Sequence, residues 1–310
     1  MRDEPSDETR GTNAAVETSC RTIAGGWTMA ALAALLAAFL LLSWERLQRS
    51  YWIDEIVTVE MAEKERLSDL LASTRAAMAA PPLCHLLMRA TRFLGPQEWV
   101  GRLPSLLLAL GTILVVHATG RRLGGARLGL WAAFFAATSP LLLRYGPEAR
   151  PYAHFIFFTA ALLYGVVRLA MGPMGLMRPM GCLAAARWGE TVEVFLLLAG
   201  VALAGLYSHF YFAFVLAPLG AMIPFAAWGT KSVRGTHLTR ARMFLAGGLF
   251  AVLVVVVAAG YYPFYKFYKP RLEHLAAGGS KSETPVQWSD LGPGYALRMA
   301  SPASRDRTRK

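Results

Sequence analysis

Residues 23–44 read IAGGWTMAALAALLAAFLLLSW, with no charged side chain among them. About 20 apolar residues at ~1.5 Å rise cross a hydrocarbon core of ~30 Å, so this stretch is read as a membrane span. Its apolar run is longer than the ~7–15 residues of a secretory signal, and a polar stretch precedes it. A retained anchor is expected, preceded by a disordered cytoplasmic tail at 1–22. The whole chain agrees with that reading. It has 310 residues, 55% of them hydrophobic, and a mean hydropathy of +0.38. A soluble domain reaches about 45–50% only when Gly is included. The net charge of +12 would suggest nucleic acid in a soluble protein. Here loop arginines and lysines that fix topology account for it, and no nucleic-acid partner is expected.

Beyond the first span, residues 45–97 form a long loop with two amphipathic stretches. In the second, Leu83, Leu86, Leu87, Ala90, Phe93 and Leu94 fall at helical spacing. The first, around Leu67, Leu70, Leu71 and Thr74, is weaker. Both are too short to span, and both are expected as helices lying in the interface. Six further apolar runs follow, at 99–119, 126–143, 152–171, 190–207, 210–228 and 243–262. The expected fold is therefore all-α, a polytopic bundle of about seven spans over 23–262, with a polar outer tail at 263–310. The loops 120–127, 172–189 and 229–242 carry Arg121, Arg122, Arg127, Arg178, Arg187, Lys231, Arg234, Arg240 and Arg242. The excess of positive charge there places the N-terminus inside. The segments 45–97, 144–151, 208–210 and everything after 262 then share the outer face. The cysteines Cys20, Cys84 and Cys182 have no motif spacing, so neither a disulfide nor a zinc site is predicted.

The polar residues that topology does not explain gather on that outer face. Tyr51-Trp52-Ile53-Asp54-Glu55 puts two carboxylates just past the first span. Restricted hydration raises a carboxylate's proton affinity and suits it to general-base work. Paired carboxylates also hold divalent cations, and an acidic helix start is the plainer alternative. The turn Arg144-Tyr145-Gly146-Pro147-Glu148-Ala149-Arg150-Pro151-Tyr152 carries three charges where a connection needs only Gly and Pro. Its arginines present forked donors suited to phosphate, and a snorkelling ion pair is the alternative. His209, in Tyr207-Ser208-His209-Phe210-Tyr211, tops a helical hairpin and could donate to phosphate or relay a proton. His117 and His154 are read as packing residues. There is no nucleotide-binding glycine loop, no Ser-His-Asp pattern and no internal repeat.

In order, these pieces resemble the polytopic glycosyltransferases of the dolichyl-phosphate-mannose–protein mannosyltransferase superfamily. The bacterial relatives that use polyprenyl-phosphate sugars are the nearest fit. The carriers are Trp52-Ile53-Asp54-Glu55, Pro81-Pro82-Leu83, Gly101-Arg102-Leu103-Pro104-Ser105, Arg121-Arg122-Leu123-Gly124-Gly125, Ser139-Pro140, Glu148-Ala149-Arg150-Pro151-Tyr152 and the His209 segment. The resemblance implies a GT-C-type membrane fold in the bacterial inner membrane, with its site on the outer face. It implies a polyprenyl-phosphate-linked sugar as donor, no nucleotide, and a protein, lipid or glycan acceptor. By resemblance Asp54 is the catalytic base and Glu55 its companion. Arg144, Arg150, Tyr152 and His209 bind the donor phosphate, and Asp54 with Glu148 could hold a divalent metal, Mg or Mn. Two departures stand. Met78-Ala79-Ala80 replaces the family's acid and histidine before Pro-Pro, and relatives continue past seven spans. They keep open a truncated or inactive relative acting as a membrane scaffold. A transporter ranks third, since inverted repeats and broken mid-membrane spans are not seen.

Overall fold

A computed structural model describes residues 7–74, 81–95, 97–171, 184–216 and 218, and scattered helical positions between 254 and 273, with side chains from Gly26 onward except at 169–171, 184–192 and 194–195. Among the described residues the secondary structure is helical throughout. The expected span at 210–228 and the span at 243–262 lie mostly outside them, as do Met78-Ala79-Ala80 and most of the tail.

Helix α1 runs Asp7–Gln48, and its apolar part, Gly26–Gln48, is long enough to cross a bilayer. The expected disordered tail is thus helical from Asp7. Helix nucleation is the costly step and propagation is cheap, so a long apolar helix extends readily into the Ala- and Glu-containing residues before it. Helix α5, Glu98–Ala137, follows the loop 45–97. As a single rod of 40 residues it would be about 60 Å long, twice the hydrocarbon core. It is instead two helices joined at Gly124 (φ −154°) and Gly125 (φ 80°, ψ −173°). The positive φ at Gly125 suits glycine alone among common residues, and it turns the chain back on itself. Gly120 and Gly129 meet where the arms close: a Cβ on Gly120 would lie 2.9 Å from the Gly129 Cα. The expected spans at 99–119 and 126–143 are these two arms, with one difference. The second arm stops at Ala137, and a separate short helix, α6 (Pro140–Tyr145), starts at the Ser139-Pro140 step. Proline has no N–H for a helix interior but fits the first helical position.

Helices α7 (Tyr152–Met171) and α8 (Ala184–Ser208) match the next two apolar runs. α5 packs on α1 and on α7, and α7 packs on α8. Leu32, Phe39, Ala109, Ile113, Ala133 and Leu142 form one apolar core. Leu162, Val166, Leu198, Leu206 and Phe212 form a second. Exposed Leu41, Trp44, Trp131 and Phe135 lie on α1 and α5, as expected of helices whose outer surface meets lipid.

The loop 45–97 holds three helices, one more than expected: α2 (Ile53–Ala62), α3 (Leu67–Ser73) and α4 (Leu83–Thr91). α4 packs against α5 and α2. Its buried face is Cys84, His85 and Met88. Of the apolar stripe that marked it in the sequence, Leu83, Leu86 and Leu87 are half-buried, and Ala90, Phe93 and Leu94 are exposed, Phe93 to 80%. That orientation suits a helix bedded in the membrane interface.

Candidate active site

The acidic dipeptide opens α2, and successive helical residues point about 100° apart, so its two carboxylates go different ways. Glu55 turns inward and is 1% exposed. Its Oε1 accepts from Arg102 Nε (3.0 Å) and the Ala149 N–H (2.8 Å). Its Oε2 accepts from Arg102 Nη2 (2.7 Å) and the Trp52 N–H (3.3 Å). Arg102, on α5 and 3% exposed, spends its remaining donors on the end of α1. Nη1 donates to the carbonyls of Arg46 (3.0 Å), Leu47 (3.1 Å) and Arg49, and Nη2 to that of Ser50 (3.3 Å). Its guanidinium also lies 4.8 Å from the Tyr51 ring centre. One ion pair thus joins α1, α2, α5 and the turn after α6, and satisfies carbonyls that a helix end leaves open. The expectation that Glu55 takes part in catalysis does not fit this geometry: a carboxylate with four donors and no exposed face is not free to meet a substrate.

Asp54 turns outward, its side chain 42% exposed, and accepts from Arg150 Nη1 at 2.8 Å. Arg150 lies between aromatic faces, 5.3 Å from the Trp52 ring and 4.9 Å from the Tyr152 ring. Its Nε is buried and without a hydrogen-bond partner among the described residues. Tyr152 stacks on Tyr145 at 4.8 Å and approaches the His209 ring at 6.3 Å. His209 Nδ1 accepts the Tyr211 N–H (3.2 Å), which leaves Nε2 to carry the ring proton of the neutral form. Burial first, then the charge of Arg150, pulls its pKa below the usual histidine value. The structure therefore brings together Asp54, Arg150, Tyr152 and His209 from three places in the chain.

Arg144 and Glu148 belong to a neighbouring cavity of about 380 Å³, whose walls include Arg46, Arg49, Trp52 and Arg102. Glu148 Oε2 is buried and without a partner among the described residues. Burial, then the Glu55 charge, raises its pKa above the ordinary carboxylate value despite Arg150, Arg144 and Arg46 nearby. A divalent ion on Asp54 and Glu148 does not fit this arrangement. Asp54 is engaged by a guanidinium, Glu148 sits among arginines, and no three His, Cys, Asp or Glu among the described residues cluster as metal ligands. Beneath the site His85 is buried, and desolvation holds its pKa down to about 4; the same burial pushes the Cys84 thiol up.

Three residues of this centre escaped the sequence reading as site members: Arg102, Arg46 and Arg49. Arg102 had a usable signal, a charge within the apolar run 99–119. Arg46 and Arg49 read as ordinary loop charges.

No family model matches the chain, and no curated protein matches it. Among solved structures, the S. cerevisiae protein O-mannosyltransferase Pmt1-Pmt2 complex bound to the sugar donor aligns with a TM-score of 0.56 at 15% identity, over 78% of this chain and 34% of that one. The chain therefore spans about a third of that protein's length. The likeness is one of fold, a helical GT-C-like arrangement.

Proposed function

We propose that this chain is a membrane glycosyltransferase that moves a sugar from a polyprenyl-phosphate donor to a protein, lipid or glycan acceptor on the outer face of a bacterial inner membrane. The observation that carries the proposal is the Asp54–Arg150 pair: a half-exposed carboxylate held by a guanidinium whose buried Nε has no partner. An unpaired buried donor is costly, and a donor phosphate would satisfy it. The fold shared with a mannosyltransferase supports the same reading.

In this scheme Asp54 takes the proton of an acceptor hydroxyl while that oxygen bonds to the anomeric carbon. The bond from that carbon to the phosphate oxygen breaks, and its electron pair leaves with the lipid phosphate. A single displacement inverts the anomeric centre. Arg150 stabilises the charge that develops on the phosphate, with Tyr152 and His209 Nε2–H as further donors beside it. Glu55 and Arg102 position the pair without touching substrate. Substituting Asp54→Asn in the full chain, reconstituted with a polyprenyl-phosphate sugar, tests the base. Transfer should fall by roughly 10²–10⁴-fold, the usual contribution of general-base catalysis. Unchanged transfer would remove Asp54 from the reaction.

A further inference from the structure

We infer that the hairpin end of α5 and the last turn of α7 form a site for the headgroup of an anionic phospholipid, on the membrane face opposite Asp54, built on Arg122, Tyr164 and Arg168. None of these residues enters the transfer scheme, so the site stands or falls apart from the proposed function.

Helix register brings the three together. α5 and α7 pack side by side. Ser105 Oγ donates to the Arg150 carbonyl at 3.3 Å, and a Cβ on Gly111 would lie 2.8 Å from the Phe157 ring. Carried along both helices, the same offset sets Arg122 level with Arg168. From that level Arg122 reaches one turn back: its Nε donates to the Tyr164 hydroxyl at 3.3 Å, and its guanidinium lies 5.5 Å from the ring centre. Tyr164 and Arg168, at i and i+4 on α7, share a helical face. All three side chains are half-buried. The Tyr164 hydroxyl accepts from Arg122 and keeps its own proton for an acceptor. Two forked cations and a hydroxyl thus share one end of the α5–α7 seam, a donor set suited to a phosphate group.

Charge narrows the ligand. Between residues 99 and 189 the one carboxylate is Glu148, at the other end of the bundle beside Arg150. On α8, Glu193 is exposed and makes no ion pair among the described residues, and neither does Arg168. Exposed Arg121 and Arg127 flank the Gly124-Gly125 turn and add to the positive excess. A headgroup that carries its own cation would meet repulsion here, and an anionic one would not. Topology needs only the count of such charges; it does not need a guanidinium bound to a tyrosine and a second one a turn away.

Depth favours a lipid over a free ion. Along α5 from Arg102 to Arg122 is about 30 Å at ~1.5 Å per residue, the ~30 Å thickness of a hydrocarbon core. Trp27, 74% exposed on α1, marks the same level. Arg102 bonds the Arg46 carbonyl, and Ala109 and Phe39 both adjoin Gly146, so the antiparallel packing of α1 on α5 carries Trp27 to Arg121. Tryptophan and arginine at one depth mark the headgroup layer, and basic groups between helices at that depth hold anionic headgroups.

The full chain is reconstituted in phosphatidylcholine nanodiscs with graded fractions of phosphatidylglycerol. Lipid retained after release from the disc is counted by native mass spectrometry, and thermal unfolding is followed in discs of phosphatidylcholine alone. The parent should retain phosphatidylglycerol over phosphatidylcholine by roughly 25-fold, about fivefold for each of two arginines. The pair Arg122→Gln, Arg168→Gln should cut that preference by roughly tenfold or more. The corresponding Lys pair keeps the charge count and with it the topology, yet should lose about fivefold, because an ammonium lacks the fork. Arg66→Gln, exposed in the loop 45–97, should keep the full preference. Should the Gln pair unfold in phosphatidylcholine alone, Arg168→Gln by itself carries the test, with a loss of about fivefold. A Gln pair, or an Arg168→Gln variant, that retains phosphatidylglycerol as the parent does overturns the site. A Lys pair equal to the parent reduces the arginines to surface charge and overturns it as well. Soluble glycerol phosphate that displaces the lipid at equal concentration overturns the lipid assignment.

Discussion

Replacing Arg102 with Met tests the buried clamp. Methionine fills much of the same space in a helix but offers no donor. In Arg102→Met the Glu55 carboxylate would keep only the Ala149 and Trp52 N–H groups and would remain buried without a cation. Removing one partner of a buried pair costs about 3–5 kcal/mol, because the other charge stays desolvated. The carbonyls of Arg46, Leu47, Arg49 and Ser50 also lose their donor. They lie at a helix end that water can reach, so their loss adds little. Glu55→Gln should be milder, at about 1.5–3 kcal/mol, since it keeps an acceptor and loses only the charge-assisted part of its bonds.

The double variant Glu55→Gln, Arg102→Met should cost less than the two singles together, with a coupling of about 2 kcal/mol. Unfolding free energies measured by sodium dodecyl sulfate titration of the full chain in mixed micelles give all four corners of this cycle. An Arg102→Met variant within about 1 kcal/mol of the parent, or additive singles, would refute the clamp.

Asp54→Asn should separate the two pairs. Its partly exposed contact with Arg150 contributes at most about 1 kcal/mol, so the same titration should barely move while sugar transfer collapses. Glu148→Gln should change stability in a pH-dependent way. A carboxyl whose folded pKa is raised favours the fold below its unfolded value, and that contribution is lost as pH rises through the folded pKa. The Gln variant should therefore match the parent near pH 4 and melt higher at pH 8, and melting curves that stay parallel across that range would contradict the assignment. Gly120→Val should cost about 1–3 kcal/mol by overpacking, because its Cβ would meet the Gly129 Cα and the Leu128 carbonyl oxygen at 2.9 Å. An unperturbed variant would mean that the hairpin arms do not close there.

The helical bundle was readable because lipid imposes a simple rule on composition, and residues 23–44, 152–171 and 190–207 obey it. The break at Ser139-Pro140 was visible as a proline inside an apolar run, yet hydropathy passes over it, because a helix can restart without a change in composition. The hairpin at Gly124-Gly125 showed as a pair of glycines after two arginines. Less legible was the division of labour at Asp54 and Glu55. Adjacent carboxylates look equivalent in a sequence, and only the partner on α5 decides which one is buried. Arg102 lies 47 residues away from Glu55, and no local pattern links them. Nor does the sequence show what surrounds Asp54 and Glu148: Arg150 holds Asp54, and Arg46 and Arg144 lie near Glu148. His85 hid beside an apolar stripe, on the face of α4 that turns inward with Cys84 and Met88.

A buried ion pair is poor evidence for stability, since well-packed apolar side chains often do as well. The geometry suggests a different reason for this one. Glu55 bonds Ala149, 94 residues on, and the adjacent residues Asp54 and Arg150 bond each other, 96 apart. The two contacts are neighbouring rungs between α2 and the turn after α6, one sealed and one open. The sealed rung is fixed through Arg102 to α5 and to the end of α1, where Arg46 and Arg49 line the neighbouring cavity. A reacting carboxylate must be held to within about 0.5 Å, on supports that are themselves locked. An apolar pair at 55 and 102 could fill the space, but it could not tie the Ala149 N–H or the α1 carbonyls, and both the open rung and the arginine-lined cavity would lose their common reference.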